Sequence, residues 1–240
     1  MMVEPHKQAE LESYSGPFEP SVYRKPFGEP WKPDYFVKWA TIWHAFRSLG
    51  IEPETEVLDL GAGPGWTSVF LAESGYRPTA LDFAEANIAV TRERADRYGG
   101  EVQAVVADMD DFELGRTFGA VLVFDALHHS IRPAAVVNRI AAHLEPGGWV
   151  LFGEPSMLHY ISLEARRVRR EAGWTERGVS VRKLRRDCQA AGLGHCRRFF
   201  EGTGPYESRA AGFLWQLVSL AGANVAFAPR VSIWLAARKL

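Results

Sequence analysis

Residues Val57 to Ser68 read Val-Leu-Asp-Leu-Gly-Ala-Gly-Pro-Gly-Trp-Thr-Ser, an apolar run broken by Gly61, Gly63 and Gly65 at alternate positions. Val57, Leu58 and Leu60 suit a strand buried on both faces, and Val69, Phe70 and Leu71 continue beyond the glycines with helical character. A strand that turns this sharply into a helix needs residues that tolerate positive φ. Glycine does, and it also lets a ligand approach the bare backbone. The spacing discriminates between nucleotide ligands. A dinucleotide fingerprint, G-x-G-x-x-G, would place its third glycine where this chain has Trp66. A P-loop requires a lysine at the end of the turn, and none is present.

Downstream, short apolar strands end in polar side chains at regular intervals. Arg77 to Leu81 ends in Asp82, about 20 residues past the first glycine, where a carboxylate can accept both hydroxyls of a ribose. Phe83 follows, placed to pack on a purine. Ala84 to Tyr98 reads as a helix with Ile88, Thr91, Ala95 and Tyr98 on one stripe, stopped by Gly99-Gly100. Val102 to Val106 precedes Asp108-Met109-Asp110-Asp111, and Ala120 to Phe124 precedes Asp125-Ala126-Leu127-His128-His129. Pro133 opens the next helix, Glu145-Pro146-Gly147-Gly148 closes it, and Trp149 to Phe152 is a fifth strand. Strand–helix alternation with polar residues at the carboxyl ends of strands predicts a doubly wound α/β sheet.

The Asp-x-Gly-x-Gly-x-Gly segment, Asp82, the Asp108-Met109 pair and the Leu-x-Pro-Gly-Gly stop together resemble class I S-adenosylmethionine-dependent methyltransferases. The resemblance runs from about Glu56 to Leu193. It implies a mostly parallel seven-stranded sheet whose last strand is antiparallel. It also implies a cofactor, S-adenosylmethionine, with S-adenosylhomocysteine as product. The carried-over contacts are Asp59, Gly61, Ala62, Gly63, Gly65 and Trp66 around the methionine end, with Asp125 and Ala126 facing them. Asp82, with Asn87 near it, is expected at the ribose. Phe83 and Met109 would flank the adenine, and Asp108 would meet its amino group.

A chain of 240 residues that is 47% hydrophobic can bury one sizeable core, so one α/β domain over residues 51–240 is expected, preceded by an arm and helix over residues 1–50. The net charge of −1 gives no general pull toward nucleic acid or membrane. No leader is expected in the polar start, no apolar run is long enough to span a bilayer, and a cytoplasmic location follows as an expectation. Cys188 and Cys196 are expected as free thiols, and no metal site is expected.

Regions outside the nucleotide core should choose the acceptor. The aromatic and proline-rich stretch from Tyr14 to Phe46 becomes helical after Pro33, with Phe36, Trp39, Trp43 and Phe46 at helical spacing. It can serve as a lid, or its helix can simply pack on the sheet. The insertion near residues 155–180, with helical character from Met157 to Glu171, runs into a stretch rich in arginine. Arg166 to Arg186 holds nine basic residues against two acidic ones. That is a solvated helix face or a site for an anionic, phosphorylated or sugar-like acceptor. A second insertion near residues 205–228 holds an apolar helix, suited to a homodimer contact, a roof or plain packing.

Methyl transfer from a sulfonium is an in-line displacement that needs alignment above all. A hydroxyl acceptor also needs its proton removed, which favours a base; an amine does not. His128 is the first candidate, His129 the second and His159 a third, with Glu154 placed to steer the acceptor or orient a histidine. The competing reading keeps the histidines as structural or cofactor-facing groups. The expectation is therefore a methyltransferase for a small molecule, with oxygen favoured over nitrogen or carbon. A non-catalytic binder of the same cofactor and a dinucleotide oxidoreductase are the alternatives.

Overall fold

In the computed structural model the described residues are 5–13, 25–26, 34–98, 100–157, 160, 163–171, 177–200 and 232–240. Two helices, α1 (Pro5–Ser13) and α2 (Asp34–Leu49), precede the sheet. The core then alternates β1 (Glu56–Leu60), α3 (Trp66–Glu73), β2 (Arg77–Asp82), α4 (Glu85–Tyr98), β3 (Gln103–Val106) and β4 (Phe118–Phe124). A single 3₁₀ turn (Leu127–His129) leads to α5 (Pro133–His143) and β5 (Leu144–Pro155). The remaining described elements are α6 (Leu163–Glu171), α7 (Val181–Ala190), β6 (Leu193–Phe199) and β7 (Ser232–Lys239).

The seven strands lie in the order β3-β2-β1-β4-β5-β7-β6. The first five are parallel, and β7 runs antiparallel to both its neighbours. Side chains alternate between two apolar layers. Leu58, Leu60, Val121, Val123 and Phe152 pack with α5 and α7 on one face. Val57, Ala120, Leu122, Phe124 and Leu151 pack with α2 and α3 on the other. Coverage of both faces explains why β1, β2 and β4 are buried along nearly their whole length, β4 being apolar throughout. The chain leaves β1 toward β2 and later returns to β4 on its opposite side, so a crevice opens beyond the carboxyl ends of β1 and β4.

Several local expectations shift. The fifth strand begins at Leu144 rather than Trp149, because Leu144 already pairs with Phe118 before a register irregularity at Phe118/Ala120. It runs on to Pro155 because β7 pairs along its far side as far as Ser232. The buried stripe of α2 is Tyr35, Ile42, Ala45, Phe46 and Leu49, whereas Trp43 is half exposed. Aromatic spacing alone pointed to a face rotated from the true one. Each large apolar side chain on the true stripe is worth roughly 1.5–3 kcal/mol when fully buried. The arm residues 14–24 and 27–33, His159 and the whole second insertion lie outside the described residues. Cys188 and Cys196 are both free thiols, the first buried.

Candidate functional site

At the crevice the glycine turn is held by its strand-end neighbours. Gly61 and Gly65 adopt φ of 74° and 72°. A Cβ on Gly61 would sit 2.5 Å from the Ala126 side chain, and one on Gly65 would sit 2.5 Å from Thr91. Both positions are therefore closed to other residues by conformation and by space. The turn folds onto Asp82: Gly63 N–H donates to Oδ2 at 2.8 Å, while Ala84 N–H and Asn87 Nδ2 donate to Oδ1 at 2.9 and 3.0 Å. Burial pushes the Asp82 carboxyl up, and these three bonds pull against it.

A cavity of about 170 Å³ opens above this turn. Gly61, Ala62, Gly63, Pro64, Trp66 and Thr67 line it from the turn, and Asp82, Phe83 and Asn87 from the end of β2. Asp108, Met109 and Asp110 line it beyond β3, and Phe124, Asp125, Ala126, His129 and Ser130 beyond β4. Asp125 itself has a φ of 54°, a conformation that costs a non-glycine residue energy and marks a constrained site.

Two further polar assemblies border the cavity. Lys7 of α1 reaches over it to Asp108 and Asp110, at 2.5 and 2.6 Å. Burial alone would lower the Lys7 ammonium, but the two carboxylates outweigh it and raise it. Glu154, fully buried at the end of β5, collects four donors from the turn after β4. Its Oε1 accepts from the N–H groups of Ala126 and Leu127 at 3.1 and 2.9 Å. Its Oε2 accepts from His128 N–H at 3.3 Å and lies 2.9 Å from His128 Nδ1. That contact assigns the ring proton to Nδ1 and the lone pair to Nε2.

Residues 57–148 match the family described as a methyltransferase domain. That segment is similar to the class I S-adenosylmethionine-dependent methyltransferases. The chain is 34% identical over 106 residues to a ubiquinone biosynthesis O-methyltransferase of Xanthomonas axonopodis pathovar citri, covering 43% of this chain and 44% of that protein. It is 31% identical over 151 residues to the protein of the same name from Xylella fastidiosa, covering 60% and 57%. The chain thus spans about half the length of these curated relatives. Among solved structures, an S-adenosylmethionine-dependent methyltransferase from Mesorhizobium loti superposes with a TM-score of 0.61 at 18% identity, covering 85% of this chain and all of that one. Magnesium protoporphyrin IX methyltransferase from Synechocystis, solved with bound cofactor, gives 0.58 at 16% identity over 98% and 92%. At such identities the structural likeness speaks for the fold.

Within this methyltransferase domain, the residues singled out by sequence fall into three groups. Gly61, Ala62, Gly63, Trp66, Asp82, Phe83, Asn87, Asp108, Met109, Asp125, Ala126 and His129 line the cavity together. Asp59 and Gly65 stand behind it: the Asp59 carboxylate accepts from Thr67 and Ser68 hydroxyls at 2.6 Å each, which ties β1 to the first turn of α3. His128 lines a second, more apolar cavity of about 450 Å³ between the turn, α5 and α7. Ser130 borders both cavities. Among the described residues of the basic stretch, Arg167 and Arg170 pair with Glu171 at 2.7 and 3.4 Å and Lys183 pairs with Asp187 at 2.6 Å. The cations that do line the first cavity are Lys7 and Lys25, from ahead of the sheet. No local motif announced them, because Lys7 meets its partner across 101 residues of sequence.

Proposed function

We propose that this chain is an S-adenosylmethionine-dependent methyltransferase acting on a small-molecule acceptor, with oxygen as the favoured acceptor atom. The observation that carries it is the cavity itself. A positive-φ glycine turn forms its floor, a tethered carboxylate lies at ribose distance along the chain, and an acidic–apolar pair, Asp108 and Met109, forms the next wall. In this reading the adenine lies between Phe83 and Met109 with Asp108 on its amino group, the ribose on Asp82, and the methionine end over Gly61 to Gly65. The N-terminus of α3 supports that end, since its first N–H groups have no side-chain cap and favour a carboxylate. Oxygen is supported by the names of the curated relatives, both O-methyltransferases.

An oxygen nucleophile arises in one of two ways. A histidine removes the proton from a hydroxyl, or the oxygen arrives already ionised. His129 lines the cofactor cavity, and His128, held by Glu154, lines the adjoining one, so the two histidines border an acceptor that extends past Ser130. Methyl-labelled S-adenosylmethionine, incubated with a panel of hydroxylated, carboxylated and amino acceptors, tests the activity directly. Label should appear on an oxygen; label only on amines, or none on any of the panel, contradicts the reading. On the acceptor so found, base catalysis by His128 predicts a loss of about 100-fold or more in His128→Gln. A loss of only a few-fold, with no change in pH profile, assigns His128 to shaping the turn.

A further inference from the structure

The first cavity is too small to hold everything a methyl transfer needs. Small-molecule sites commonly enclose roughly 300–1,000 Å³. A volume of about 170 Å³ leaves no room for an acceptor once a nucleoside and its methionine tail are in place. The second cavity, of about 450 Å³, has that room. The two meet at the turn after β4. Asp125, Ala126 and His129 line the first, Leu127 and His128 line the second, and Ser130 borders both. Ser130 is fixed there, since its hydroxyl donates to Asp110 at 2.5 Å and accepts from Arg132 N–H at 3.0 Å. Along the sheet the first cavity spans the ends of β3, β2, β1 and β4. The second lies against the segment that follows β5, the next strand in that order.

Burial separates the depth of this second chamber from its mouth. Leu127, His128, Ser130 and Leu184 are buried, whereas Met157 and Tyr160 are half exposed. Both sides of the mouth are anchored. Val179 N–H donates to the Pro155 carbonyl at 2.9 Å. The Arg169 guanidinium of α6 lies 4.1 Å from the Tyr160 ring centre and donates to the Tyr160 carbonyl at 2.8 Å. The charges around the chamber do not call for a charged ligand. Lys183 is paired with Asp187 at 2.6 Å, and Arg177 is exposed to water. The buried polar side chains on its wall are Ser130 and His128, whose Nδ1 lies 2.9 Å from the Glu154 carboxylate. Apolar walls with a few polar groups at depth select an apolar body and orient one polar group upon it. A sugar would give up water at every hydroxyl to enter, whereas a hydrocarbon ring gains from leaving water.

We propose that this second cavity is the acceptor site, and that the acceptor is an apolar ring compound carrying a hydroxyl. Its ring lies among Leu127, Tyr160, Val179 and Leu184, and its hydroxyl points to the Ser130 end, where the two cavities meet. The proposal rests on the methyltransferase reading above. It sets aside the anionic, phosphorylated and sugar-like acceptors that the arginine-rich stretch suggests by composition.

The test titrates 2-naphthol, glucose and 2-naphthyl phosphate into the protein with and without saturating S-adenosylhomocysteine. Naphthol should bind at least about tenfold tighter than glucose, and no more weakly with S-adenosylhomocysteine present than without it. Nuclear Overhauser contacts from the naphthol ring should reach the methyl groups of Leu127, Val179 and Leu184. Val179→Phe, which puts a ring into the chamber, should weaken naphthol by about tenfold or more while S-adenosylhomocysteine affinity holds within about twofold. Tyr160→Ala, at a half-exposed position safe for folding, should weaken naphthol by about threefold or more. Competition between naphthol and S-adenosylhomocysteine, or ring contacts to Ala62 and Ala126 instead, would put the ring in the first cavity and overturn the proposal. So would glucose binding as well as naphthol, naphthyl phosphate binding about tenfold tighter than naphthol, no naphthol binding, or an affinity untouched by both variants. Failure of the wild type to bind S-adenosylhomocysteine defeats the methyltransferase reading instead, and the contacts measured without it still show whether the chamber takes an apolar ring.

Discussion

Asp59 never reaches the cavity, yet it fixes the geometry beneath it. Its carboxylate is fully enclosed and takes two hydroxyl donors from the first turn of α3. Burial pushes it up from 3.8 to about 6, against the pull of those two bonds. Because the folded value exceeds the unfolded one, the protonated form favours the fold. That contribution is complete below the ordinary value and is lost as pH rises through about 6. Asp59→Asn keeps an oxygen for Thr67 and Ser68 without the charge. Urea unfolding across this window should show the wild type losing roughly 1–3 kcal/mol relative to the variant as pH rises. Parallel pH profiles for the two proteins would contradict this account of Asp59. At this scale the sequence is informative where a residue's task is local: Gly61, Gly65 and Asp82 are legible because turn conformation and strand spacing dictate them. Glu154 was legible as a strand-end carboxylate, but not as the group that gathers the turn after β4, which needs the fold to bring residue 154 to residues 126–128.

Among the elements, α1 was read from sequence only as a polar start. Its role depends on one long-range contact, Lys7 bridging Asp108 and Asp110 across the cavity mouth. Such pairing carries no periodicity or spacing that a linear reading can detect. By contrast, the strands and the helices α3 to α5 are legible because parallel pairing demands long apolar runs and caps punctuate them. The stripe of α2 was misjudged because its large aromatics are split between core and surface, with Trp39 edge-on to Phe70 at 5.1 Å and Trp43 facing outward. If α1 clasps a bound cofactor through Lys7, Lys7→Ala should quicken S-adenosylhomocysteine release by about tenfold, the worth of one charge-assisted contact. Stopped-flow displacement measures this. An unchanged release rate would make α1 a bystander.

For the molecule as a whole, the order of strands decides where chemistry can occur. Reversal of the winding between β1 and β4 opens one crevice, and the strand-end residues Asp82, Asp108, Asp125 and His129 converge on it. The α/β class and the seven-stranded sheet with its antiparallel strand were therefore legible, as was the gathering of Asp82, Phe83, Asp108 and Met109 along one cavity. The wall that Tyr35, Trp66 and Phe124 form beside Lys25 was not, because it is assembled from segments far apart in the chain. The central claim is that this crevice holds S-adenosylmethionine in one orientation, with its ribose on Asp82. Calorimetric titration of S-adenosylhomocysteine and NAD into the wild type and Asp82→Ala tests it most directly. The account predicts binding of S-adenosylhomocysteine, no comparable binding of NAD, and affinity about ten- to a hundredfold weaker in Asp82→Ala. Tight NAD binding, or S-adenosylhomocysteine affinity unchanged by Asp82→Ala, would contradict it.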